Sequence, residues 1–178
     1  MFSYLHIKNE LAKKLLISAF AVISAIILPQ ICHAIGVMTG TGANLGSMLL
    51  PMHIPVILAG FFGGAIAGGV VGIFSPIISF AISGMPTAAL LPFMIIELAV
   101  YGIVSGLLSK KNINPILKTA IVMICGRVAR ALAVLTSIYA LGNEKLAITA
   151  AYLFIVERII GSLIQFVIIP FIISRKKA

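Results

Sequence analysis

Between Leu15 and Ile96 the chain carries no Asp, Glu, Lys or Arg. A soluble fold needs solvated groups along the outer face of every helix and strand, and so long a neutral stretch cannot supply them. In lipid the requirement reverses, and a spanning helix wants about 20 mostly apolar residues. The stretch has room for several such helices. The rest of the chain agrees: 61% of its residues are hydrophobic and 10% charged, whereas soluble domains carry roughly 25% charge. The sequence therefore predicts a single membrane-embedded domain over residues 1–178, all-α and multi-pass.

The formal net charge of +9 would suggest nucleic acid in a soluble protein. Its placement argues otherwise. Lys8, Lys13 and Lys14 precede the first apolar run, Lys110, Lys111 and Lys118 fall mid-chain, and Arg175, Lys176 and Lys177 lie at the end. Clusters of Lys and Arg beside apolar segments mark cytoplasmic loops, and no basic stretch is interleaved with aromatics. Nucleic acid is not an expected partner; the lipid bilayer is.

Six spans are predicted. The first covers Leu11 to Ala34, and the second His53 to Phe74. The third is a short run from Ser75-Pro76 to Ser83, tilted or partly re-entrant. Pro92 to Ser109, Pro115 to about Leu141 and Leu146 to Ile173 follow. An even count puts both termini on one side, and all three basic clusters make that side cytoplasmic. The expected setting is a cell membrane, most simply a bacterial plasma membrane. A cleavable signal peptide ending at Cys32-His33-Ala34 competes for the first run, although its apolar stretch is long enough to span. The first link, Gly36 to Pro51, is uncharged, with glycines at 36, 40, 42 and 46, and reads as a loop lying against the protein. In the second span Gly64 and Gly68 form a small-xxx-small pair that permits close helix approach.

Ionisable residues in hydrocarbon are costly and mark functional sites by default. Five occur here: Glu97, Arg127, Arg130, Glu157 and Arg158. At about 1.5 Å per residue, Glu97 lies roughly 10 Å below the outer face, with Arg127, Arg130 and Glu157 in the middle to outer part of the bundle. Tyr101 shares a helix face with Glu97. Two readings stand side by side: structural ion pairs such as Glu97–Arg130 or Glu157–Arg127, or the lining of a ligand cavity. His53 and Asn44, at and within the first link, complete the candidate substrate-binding set. Nothing reads as an enzyme. There is no Asp, no His-Glu-x-x-His, no Gly-x-Ser-x-Gly and no phosphate-binding loop with its Lys-Ser/Thr. Cys32 and Cys125 are expected as buried free thiols, and no cofactor or metal is expected.

The segment LPMHIPVILAGFFGGAIAGGVVGIFSPIISFAISGMP (Leu50 to Pro86) and the following IIELAVYGIVSGLL (Ile95 to Leu108) resemble the substrate-binding S components of energy-coupling factor (ECF) transporters. LPQICHAIG and ICGRVAR resemble the same group. The resemblance implies a six-helix protein that captures a vitamin or similar micronutrient outside the cell. Its partners would be the membrane coupling subunit EcfT and two ABC-type ATPases. It also implies docking on EcfT through an Ala-x-x-x-Ala motif in the first helix, here Ala21 and Ala25, and a ligand held under the first loop between helices four to six. Two arginines favour an anionic group such as the carboxylate of pantothenate, while Glu97 and Glu157 fit an amine or ring N–H. A stand-alone solute carrier and a ligand-free membrane scaffold are the competing functions.

Overall fold

In the computed structural model the described residues are 2–40, 51–142 and 159–175. They form six helices: α1 (Phe2–Met38), α2 (His53–Gly63), α3 (Ala65–Ser83), α4 (Leu91–Leu108), α5 (Pro115–Leu141) and α6 (Ile159–Arg175). Four segments are long and apolar enough to cross a membrane: Leu11–Met38, Ala65–Ser83, Leu91–Leu108 and Pro115–Tyr139. The apolar part of α2 and that of α6, Gly161–Arg175, are shorter.

The local chemistry of the helix ends is ordinary. α5 starts where the Asn114 side chain accepts a hydrogen bond from the Ile116 N–H at 2.9 Å, with Pro115 in the first turn. It stops at Gly142 with φ 63°, and α3 stops at Gly84 with φ 69°, both left-handed caps that glycine adopts without a Cβ clash. α1 runs unbroken through Cys32-His33-Ala34 to Met38, so the first link starts later than Gly36.

The expected span from His53 to Phe74 is corrected by the structure. Gly64, at φ 91°, breaks the apolar run into α2 and α3. The register shows that the chain reverses there. A Cβ on Gly68 would strike the Gly102 carbonyl, one on Gly72 the Leu98 carbonyl, and one on Gly106 the backbone of Ala65. Those pairs make α3 and α4 antiparallel. His53 lies beside Glu97 and Tyr101, whereas Gly60 lies beside Gly102, Ser105 and Gly106, which makes α2 parallel to α4. α2 and α3 are thus a tight helical hairpin. The third run is correspondingly longer than expected, and Pro76 lies inside α3 rather than at its start.

The hairpin packs against α4 with almost no side-chain padding, and this is the centre of the bundle. Val56, Ile57, Val71, Leu98, Tyr101 and Val122 are fully buried around it, joined by Ala25 of α1 and Ile169 of α6. Outward faces are apolar: Leu16 and Phe20 of α1 are 71% and 74% exposed, and Ile124, Val128 and Leu132 of α5 are exposed too. Polar groups lie inside instead, among them His53, Glu97, Arg130 and Gln165. Water would penalise that inversion, and lipid favours it.

Candidate functional site

α4 brings Glu97 and Tyr101 to one face because residues four apart stack on a helix. Both are buried, Glu97 at 1% exposure. The Tyr101 hydroxyl donates to Glu97 Oε1 at 3.1 Å, and Arg130 Nη1 of α5 donates to Oε2 at 2.5 Å. His53, the first residue of α2, places Nε2 3.8 Å from the same Oε2 and its ring edge-on to Tyr101, centroids 5.5 Å apart. Both carboxylate oxygens are therefore engaged. Gly126 makes the cluster possible, since a Cβ there would overlap the Tyr101 ring.

This arrangement binds three helices at one point. A carboxylate and a guanidinium held in direct contact in a low-dielectric interior attract far more strongly than at a surface, and the Tyr101 hydroxyl satisfies the oxygen that Arg130 leaves. Breaking one member would strand a charge.

Arg127 departs from its neighbour. The sequence places Arg127 and Arg130 on one face of the fifth helix, yet the two guanidinium groups address different elements. Arg127 is half-buried, and its Nη2 donates to Ser162 Oγ of α6 at 2.5 Å. Among the described residues it contacts no carboxylate. Asn44 and Glu157 fall outside the described residues, as does most of the first loop. Ser162 was not singled out from sequence, nor was Gln165, which is fully buried on α6. Their signal was polarity at a three-residue spacing in an otherwise apolar helix.

Ala21 and Ala25 lie in the packed interior, Ala21 at 7% exposure and Ala25 at 0%. Ala21 nevertheless borders a groove of about 640 Å³ between α1 and α2, lined by Phe20, Leu28, Ile54, Leu58 and Phe62 among others. Such a lining does not suit a water-soluble ligand, because it offers almost nothing that hydrogen-bonds. No group of three or more His, Cys, Asp or Glu suited to a metal occurs among the described residues.

A family model for the substrate-specific component of ECF transporters matches residues 11–173. The chain belongs to this family. No curated protein and no solved structure matches it. The match extends through α6, so the S component is identified over nearly the whole chain and beyond the segments whose resemblance was evident in the sequence. It makes the chain a substrate-specific transport component embedded in a membrane, in a family that is not one of enzymes.

Proposed function

We propose that this S component captures a water-soluble vitamin or related micronutrient at the outer face of a bacterial cell membrane. It then releases its substrate through the coupling subunit EcfT, driven by two ABC-type ATPases. The observation that carries the reading is the inward-facing polar set of α2, α4, α5 and α6, His53, Glu97, Tyr101, Arg127, Arg130 and Ser162, inside a bundle whose outer faces are apolar. Intramembrane polar groups of this kind favour a solute pathway over a passive scaffold. The basic clusters at Lys13-Lys14, Lys110-Lys111 and Arg175 support cytoplasmic termini. Substrate would then enter from the side where α1 ends and α5 ends, with Asn44 and Glu157 completing its site. Pantothenate is the first candidate, because the chain offers arginine for a carboxylate and no tryptophan for stacking a large flavin.

Docking on EcfT falls to the small-residue face of α1, where Ala21 borders the apolar groove and Ala25 is buried one turn further on. Co-expression with the coupling module tests the assembly. The tagged S component should carry EcfT and both ATPases through mild-detergent purification, and Ala21→Leu should weaken that recovery. A protein that never retains the module, yet moves solute in vesicles alone, would be a stand-alone carrier.

A further inference from the structure

The two arginines of α5 do different work. Arg130 is 3% exposed and bound to Glu97, which in turn holds the Tyr101 hydroxyl and lies beside His53. Its charge is met within the protein. Arg127 is half-buried and gives one hydrogen bond to a neutral hydroxyl, Ser162 Oγ. No carboxylate meets it among the described residues.

Depth makes this costly. Arg127 lies near the middle of α5, twelve residues after Pro115 and fourteen before Leu141, roughly 18 Å and 21 Å from the two ends at the helical rise. An arginine side chain cannot reach the headgroups from there, so snorkelling does not explain it. It points inward, towards α6, where Ser162 Oγ accepts from its Nη2. The intramembrane charges of the sequence, Glu97 and Glu157 against Arg127, Arg130 and Arg158, also sum to one surplus cation. With Arg130 met by Glu97, one carboxylate remains in the sequence for the two guanidinium groups of Arg127 and Arg158.

We propose that Arg127, steadied by Ser162, is the anchor for a carboxylate of the substrate, and that the Glu97–Arg130 pair supports the site without binding the charged group. The inference rests on the substrate-capture reading above. Chemically, Ser162 engages Nη2 and leaves the other N–H groups of the planar fork for two parallel bonds to a carboxylate. An amine or a quaternary ammonium would meet the wrong charge.

The test uses pairs of compounds that differ in the anion alone: pantothenate with pantothenol, and nicotinate with nicotinamide, together with thiamine, riboflavin and pyridoxine. Each is titrated calorimetrically against the purified full-length protein in detergent. One anion should bind, and its neutral counterpart should bind on the order of a hundredfold more weakly, the scale of one lost buried charge-assisted contact. Arg127→Gln should remove that difference while melting close to the wild type. Arg127→Lys keeps the charge without the fork, and should bind the anion more weakly yet still prefer it. Equal binding of anion and neutral analogue, or a preference that survives Arg127→Gln, would overturn the proposal. Tight binding of thiamine, riboflavin or pyridoxine alone would also overturn it, and would leave the capture reading standing. Binding of no compound in the panel would count against both.

Discussion

Glu97 is the residue on which the interior depends. Its carboxylate takes Arg130 on one oxygen and Tyr101 on the other, with His53 close by. Removing one partner of a buried ion pair costs about 3–5 kcal/mol, because the survivor keeps its desolvation penalty without its attraction. Glu97→Gln and Arg130→Gln should each therefore lower the melting temperature markedly in detergent, by a similar amount. The double variant Glu97→Gln/Arg130→Gln should lose much less than the sum, since no charge is left stranded. Additive losses would show that the two groups do not interact in the folded protein. Glu97, Tyr101 and Arg130 were legible in the sequence because a charge inside an apolar run has few permissible explanations. Their pairing was one of two open readings there, and the fold brings Glu97 and Arg130 into direct contact. Ser162 was not legible, because a single serine in an apolar helix usually just bonds back to its own backbone.

At the level of elements, the α2–α3 hairpin against α4 sets the geometry. Hydropathy is continuous from His53 to Phe74 and carries no sign of a reversal, so the expectation of one span there followed the apolar pattern alone. The deciding feature is the backbone of Gly64, whose φ of 91° suits glycine and few other residues. Of the glycine pair read from sequence as a packing surface, Gly68 meets Gly102 of α4 backbone to backbone, whereas Gly64 forms the break between α2 and α3 and a Cβ there would meet nothing within 4 Å. Gly102→Ala would drive its Cβ into the Gly68 carbonyl. Neither backbone can yield without moving a helix, so destabilisation of about 1–3 kcal/mol or more is expected, the usual scale of overpacking. Because Tyr101 and Glu97 ride on α4, the same substitution should weaken substrate binding in the fraction that stays folded. A Gly102→Ala protein with wild-type melting and affinity would mean that α3 and α4 do not approach this closely.

On the scale of the whole molecule, the chain is a bundle with apolar outer faces and a charged centre, which suits a bilayer and excludes water as its solvent. Membrane class and family were readable from sequence because long neutral runs and the His-Ile-Pro segment constrain them directly. The substrate was not, because the sequence does not show which polar side chains the fold gathers, as it gathers those of α2, α4, α5 and α6. The central claim is that this S component holds a small, water-soluble solute in that centre. Mass spectrometry of the small molecules released by denaturing protein purified gently from cells grown in vitamin-rich medium tests it most directly. The account predicts one vitamin-sized compound bearing a carboxylate, released in near-equal amount to the protein and absent after Arg127→Gln. Protein that is folded, monodisperse and empty, and that takes up no vitamin when resupplied, would contradict it.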